Sequence, residues 1–197
     1  MKTIVAFDFD GTLTKKDSFI EFVKHSKGIA AFIFSLPILA YFWISVQLRL
    51  ITLDKAKEKI FKYFFKGMPL KEFNYKCEEF SNRIDQFLRD EAKKTISNFN
   101  KPDCKKIIVS ASIENWIEPW ARENGFNNVI ATQIEVNDSG VLTGCFLSKN
   151  CKGKEKVSRI LKIFPERESY QLISFGNSKG DKELIEFSNK GYMNAIK

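Results

Sequence analysis

Apolar residues recur in two rhythms along this chain. In its outer parts, short β-branched runs alternate with segments of helical period; between Thr14 and about Lys101 only helical spacing is found. The run that opens at Thr3, Thr-Ile-Val-Ala-Phe, has no polar alternation. It predicts a strand buried on both faces, as in a parallel sheet. Residues 105–112 predict a second such strand, followed by a helix over 113–124 that Gly125 stops. A third strand falls at 128–133, and 135–143 has hairpin chemistry, with Asn137-Asp-Ser-Gly140 at the tip. Val157, Ile160, Leu161 and Phe164 mark an amphipathic helix over 154–164. The last clear strand is 170–175 and the last helix 181–189. Strands alternating with helices imply an α/β fold, a Rossmann-like doubly wound parallel sheet with a small β-hairpin.

The middle of the chain reads as a helical cap inserted after the first strand. Ser18-Phe-Ile-Glu21 has the form of a capping box that starts its first helix. Leu70, Phe73, Cys77, Phe80, Ile84 and Phe87 step by three and four residues, the core stripe of a small bundle. Residues 98–103 read as the hinge back into the sheet. The expected division is therefore a core of 1–14 and 102–197 and a cap of 15–101.

Within that cap, residues 28–48 contain no charge. About 20 apolar residues are what a membrane-spanning helix requires. Three arrangements other than a crossing fit the stretch. Pro37 breaks it into two short helices that dip into one leaflet; or it lies in the interface with Tyr41 and Trp43 at headgroup depth; or it is a buried cap helix or oligomer contact. Lys24 and Lys27 precede it, and Arg49, Lys55 and Lys57 follow it. Positive charge on both flanks suits two ends on one anionic surface, which favours membrane-surface association.

Composition narrows the partners. The 197 residues suffice for one α/β domain with an insertion, and a net charge of +8 points to anionic partners. No nucleic-acid-binding signature accompanies the charge, so nucleic acid ranks last. Cys77, Cys104, Cys145 and Cys151 form no CxxC pair and read as reduced thiols of a cytoplasmic protein. His25 is the only histidine, which argues against chemistry built on a histidine base. Catalytic-looking residues within ten positions of the start argue against a cleavable signal peptide.

Those residues are Asp8 and Asp10. They fall at the carboxyl end of the first strand, where open α/β sheets bind ligands, and on one side of an extended chain. Two like charges held this close call for a cation or a proton, and Mg2+ suits oxygen ligands. Gly11 allows the sharp turn that follows. Ser110 ends the second strand, where its hydroxyl and the amides of the next helix can donate to a phosphate; Ser112 reads as that helix's N-cap.

Asp8-Phe-Asp-Gly-Thr-Leu-Thr14 resembles the first motif of the haloacid dehalogenase superfamily of phosphohydrolases. Ser110 matches that family's second motif. Lys156, in Gly153-Lys-Glu-Lys-Val157, matches the third, with Lys154 left open by spacing. Gly176-Asn-Ser-Lys-Gly-Asp181 matches the fourth except at Asn177, where the family has an aspartate. The resemblance implies Asp8 as nucleophile, Asp10 as general acid and base, and Lys156 as charge neutraliser. It implies phosphate binding by Gly11, Thr12, Ser110 and Ala111, and Mg2+ held by Asp8, Asp10, Asn177 and Asp181. An amide at position 177 weakens that metal site.

The helical insertion resembles the cap of the phosphoserine-phosphatase-like branch. With its early apolar segment, the chain resembles phosphatidylglycerophosphatase C and its bacterial relatives. The implied activity is Mg2+-dependent hydrolysis of a phosphomonoester through an aspartyl-phosphate. The implied substrate is a lipid-linked phosphate such as phosphatidylglycerol phosphate, reached from the cytoplasmic face of the inner membrane. A small soluble phosphomonoester, or a weakly active phosphate-binding protein, are the alternatives. One site cannot be assembled across a bilayer, so a single full crossing of 28–48 is disfavoured by the motifs. Oligomeric state is not encoded in these patterns.

Overall fold

The structure, a computed structural model, describes residues 2–197. The strands are β1 (Lys2–Phe7), β2 (Cys104–Ile113), β3 (Asn128–Thr132), β4 (Ile134–Val136), β5 (Leu142–Phe146), β6 (Tyr170–Gly176) and β7 (Lys190–Met193). The helices are α1 (Ser18–Lys27), α2 (Ile29–Gln47), α3 (Leu53–Phe65), α4 (Leu70–Ile84), α5 (Ala92–Ser97), α6 (Glu114–Glu123), α7 (Lys154–Ile163) and α8 (Lys182–Phe187). Five strands form one parallel sheet in the order β3-β2-β1-β6-β7, and β4 and β5 form a separate antiparallel hairpin. This is the expected doubly wound α/β fold.

Side-chain alternation along β1 explains the unbroken apolar run. Ile4 and Ala6 face one layer with Ile107, Val109 and Leu172, covered by Ile160 of α7 and Leu184 of α8. Val5 and Phe7 face the other, with Ile108 and Phe175 against α6 and the inserted helices. A strand covered on both sides needs no polar positions.

Phe73, Cys77, Phe80 and Ile84 of α4, and Phe87 just after it, are buried as expected and Leu70 only in part, but the partners of this stripe extend beyond the inserted helices. Phe22 of α1 packs on Phe73 and Phe80 at centroid distances of 5.3 Å each, and stacks on Trp116 of α6 at 4.8 Å. One apolar cluster thus joins inserted helices to sheet, which fixes the cap over the strand tips.

Four expectations need correcting. Asp17, not Ser18, caps α1: its carboxylate accepts from Ile20 N–H at 3.1 Å. Ser112 is no N-cap, because β2 continues to Ile113 and the Ser112 hydroxyl meets Ser18 and Trp116 instead. The last helix stops at Phe187, and the chain enters β7, an edge strand beyond 170–175 that the sequence pattern missed. Exposed on one edge and only four residues long, β7 carries no hydrophobic periodicity.

The fourth correction concerns α2. Pro37 lies inside one uninterrupted helix rather than between two. Its buried residues are Ser35 and Ser45, whose hydroxyls bond back to Phe32 O and Tyr41 O. Phe34, Tyr41 and Trp43 are instead 83%, 64% and 65% exposed. The helix is not buried within its own chain.

Candidate active site

The site is built where β1, β2 and β6 end together. Asp8 N–H donates to Phe175 O at 2.9 Å, which continues the sheet ladder and seats Asp8 at the strand tip. The chain then coils so that the amides of Thr12, Leu13 and Thr14 all reach Phe9 O, at 3.2, 2.9 and 3.1 Å. Gly11 makes this turn at φ +80, and a Cβ there would press against the Asn177 side-chain amide. Glycine is needed twice over, for conformation and for space.

Asp8 is buried, with each oxygen engaged. Lys156 Nζ donates to Oδ1 at 2.7 Å and Thr12 Oγ1 to Oδ2 at 2.8 Å. The same ammonium donates to Val109 O and to Asp181 Oδ1, each at 2.6 Å, so its three protons are used. Lys154 is exposed on the first turn of α7, and Lys152 pairs with Asp54 at 2.6 Å. Geometry therefore selects Lys156 as the lysine against Asp8.

Asp181 is occupied elsewhere as well. Its Oδ2 accepts from Asn177 N–H, Ser178 N–H and Ser178 Oγ at 3.1, 2.9 and 2.8 Å. Ser178 and Asp181 form a reciprocal capping box that shapes this loop. Asn177 leans over Gly11, and its Oδ1 accepts from Thr12 Oγ1 at 3.3 Å. Thr12 thereby brings Asp8 and Asn177 to one point.

Asp10 turns away from Asp8 toward α1. Ser18 N–H donates to its Oδ1 at 2.7 Å and Ser18 Oγ to its Oδ2 at 3.0 Å. Ser110 is buried; its hydroxyl accepts from Ser112 N–H at 3.0 Å and keeps its own proton. Ala111 O accepts from Lys57 Nζ at 2.6 Å, which ties α3 to the end of β2. Arg89 Nε donates to Gly11 O at 2.9 Å and braces the turn from outside.

Sequence reasoning missed Ser18, Lys57 and Arg89 as site residues. Ser18 was disguised by its capping-box spacing. Lys57 and Arg89 reach the site across 54 and 78 residues, a separation no local pattern reports.

Charge is unbalanced here. Asp8 and Asp181 share one ammonium, Lys156, which leaves one negative charge between them if both ionise, while Asp10 acts on the ammonium of Lys57. Burial raises the pKa of Asp8, with Lys156 opposing and Asp181 adding to the rise. Burial, reinforced by Asp17, pushes Asp10 up to about 7, although Ser18 favours its ionised form. Burial also opposes the charge on Lys156, but Asp8 and Asp181 outweigh it and raise its pKa. Burial raises Asp181 as well, yet Lys156 and the Ser178 donors bring it below the usual carboxylate range.

Among the described residues there is no cluster of three His, Cys, Asp or Glu able to cage a metal. Mg2+ does not need one, since it keeps several waters and is bound through one or two carboxylates plus substrate oxygens. Asp8 and Asn177 offer converging hard oxygens, and the surplus negative charge around Lys156 suits a cation. The residues fit Mg2+, with Asp181 serving Lys156 and the loop.

A doubly wound α/β sheet with an acidic site at its strand tips and a helical insertion after the first strand defines an enzyme-like class. The chain belongs to the haloacid dehalogenase-like hydrolase family, whose family model matches residues 5–186. It is 29% identical over 195 residues to Protein CicA of Caulobacter vibrioides, covering 96% of this chain and 85% of that protein. A crystal structure of a Bordetella pertussis Tohama I protein superposes with a TM-score of 0.81 at 19% identity, covering 95% of this chain and 88% of that one. A phosphoserine phosphohydrolase-like protein of Francisella tularensis gives a TM-score of 0.67 at 21% identity, covering 98% and 86%.

Proposed function

We propose that the protein is an Mg2+-dependent phosphomonoesterase that works through an aspartyl-phosphate on Asp8. The observation that carries this reading is the Asp8 carboxylate at the tip of β1, held from two sides by Lys156 and Thr12. A carboxylate so fixed is oriented for in-line attack. One Asp8 oxygen forms the bond to phosphorus as the bond from phosphorus to the leaving alkoxide breaks. Asp10 supplies the proton that the alkoxide takes up, a role suited to an acid with pKa near 7. Asp10 then takes a proton from water; the hydroxide attacks phosphorus and Asp8 is released.

Ser110 O–H and the Ala111 amide are the donors for the phosphoryl oxygens, whereas the Gly11 and Thr12 amides are taken by Thr14 Oγ1 and Phe9 O and shape the turn instead. Asp8 and Asn177 would hold Mg2+, which when bound neutralises charge on the phosphoryl group. Lys156 holds Asp8 in place and favours its ionised form against the burial that raises its pKa.

The preferred substrate class is a lipid-linked phosphate, such as phosphatidylglycerol phosphate, met at the cytoplasmic face of a membrane. The exposed apolar helix α2, between basic flanks, supports this reading. The test is Mg2+-dependent release of phosphate from phosphatidylglycerol phosphate, lysophosphatidate and phosphoserine. Release from the lipids, abolished in Asp8→Asn, is the expected result. Release from phosphoserine alone would replace the lipid reading with the small-metabolite one, and turnover retained by Asp8→Asn would overturn the mechanism.

A further inference from the structure

A cavity of about 640 Å3 lies between α1, α2 and α3, within the 300–1,000 Å3 range of small-molecule sites. Its two ends differ in chemistry. The outer walls are hydrocarbon and aromatic, from Val23, Phe32, Leu39, Phe42, Ala56 and Ile60. The polar part of the lining includes Asp17, Lys57, Asn150 and Lys152, beside Ala111. Ala111 follows Ser110, and Lys57 bonds the Ala111 carbonyl at 2.6 Å. Lys152 reaches the fourth-motif loop, where a Cβ on Gly180 would lie 3.6 Å from its own Cβ. The polar end of the cavity is thus a wall of the candidate active site.

We propose that this cavity is a tail subsite, which takes the hydrocarbon chain of an amphiphilic phosphomonoester while Lys57 and Lys152 face the polar link to the phosphate. The proposal rests on the phosphatase reading and extends it: it names where the apolar part of the substrate goes. The amphipathic lining and its position select the occupant. Lys152 is paired with Asp54 and Lys57 with the Ala111 carbonyl, so the polar end suits a hydrogen-bonding link rather than a bare charge, and a small polar metabolite would leave the outer walls unfilled. An amphiphile with an anionic head satisfies both ends at once, and the phosphate then lies toward Ser110 and Asp8.

Tail capture in the protein differs from tail retention in a bilayer, and the two separate in free solution. Isothermal titration with methyl-, butyl- and octylphosphonate, each below its micelle concentration and with Mg2+ present, measures the difference. Each methylene entering the cavity should tighten binding roughly two- to fourfold. Ala56→Phe, which fills the cavity, should flatten that slope. Ile20→Asp, at a lining position 41% exposed and so tolerant of substitution, should do the same by placing charge on the wall.

Equal affinity for all three phosphonates, a slope seen only with vesicles, no binding of octylphosphonate, or an unchanged slope in both variants would each overturn the tail subsite. The phosphatase reading is judged separately by phosphate release. A steep slope without any hydrolysis would keep the cavity and remove the chemistry, and hydrolysis without a slope would do the reverse.

Discussion

Ser18 holds both oxygens of Asp10, donating its N–H to Oδ1 at 2.7 Å and its hydroxyl to Oδ2 at 3.0 Å. These bonds favour the ionised carboxylate, while burial and the charge of Asp17 oppose it, and the balance rests at about 7. Acting as the acid in the first step, Asp10 must start protonated. kcat/KM for an alkyl phosphate should therefore fall as pH rises through about 7. Ser18→Ala removes one donor to the charged form, so this limb should move upward by roughly one pH unit. A pH–rate profile at fixed Mg2+ checks it. An unmoved limb would take Asp10 out of the acid role.

Lys156 is the buried cation between Asp8 and Asp181. Lys156→Met would leave two buried carboxylates facing one another, at a cost of about 3–5 kcal/mol. Both would then have folded-state pKa values above their unfolded ones. Their penalty is present at neutral pH and shrinks as pH falls and they take up protons. Denaturant unfolding at pH 7 and pH 5 should show that convergence toward the wild type. Adding Asp181→Asn should restore part of the stability but no turnover, because Asp8 still lacks its partner. Recovery of turnover in the double variant would show that Lys156 serves folding alone.

The fold and most of the site were legible because parallel sheets leave strong local signals. Apolar runs mark β1 and β2, and ligand-bearing residues sit directly after them in sequence. Asp8, Ser110, Lys156 and Asn177 each follow such a run or open a helix, so their convergence follows from topology. What escaped were residues whose role is set by a partner distant in the chain. Ser18 has cap spacing in one dimension and an Asp10 contact in three. Pro37 marks a break by local rule, yet α2 runs through it, since a proline costs a helix one hydrogen bond and the rest of the helix remains. Strand β7 carries no periodic signal at all.

Asn177 contributes a neutral oxygen where a carboxylate would contribute charge. Asn177→Asp should strengthen Mg2+ binding roughly tenfold, as ligand charge count governs such affinities. Without metal the same change adds a third carboxylate to Asp8 and Asp181 around Lys156 and should lower the melting temperature. The two effects have opposite signs, which makes the test selective. Calorimetric titration with Mg2+, paired with melting curves in chelator and in excess Mg2+, reads both. A variant that binds Mg2+ no better than the wild type would place the cation away from Asn177.

Helix α2 presents Phe34 and Tyr41, seven residues apart and so on one face, to the outside at 83% and 64% exposure. Its N-terminal flank is weaker than its sequence suggests, because Lys24 is paired with Glu21 at 2.9 Å. Arg49 and Lys55 are exposed beyond its C-terminal end and are the stronger source of attraction to anionic lipid, at about 1 kcal/mol each. Burying two large side chains contributes more, about 1.5–3 kcal/mol apiece at full insertion. The protein should float with phosphatidylglycerol-containing vesicles, and salt should weaken but not abolish the association. Phe34→Asp with Tyr41→Asp should reduce binding by roughly a hundredfold or more, since both insertion terms are lost and two repulsive charges are gained. Neither position lines the cavity between α1, α2 and α3, so hydrolysis of a monomeric short-chain phosphate should persist while hydrolysis on vesicles falls. Equal loss on both substrates would mean that α2 shapes the site rather than the approach to a membrane.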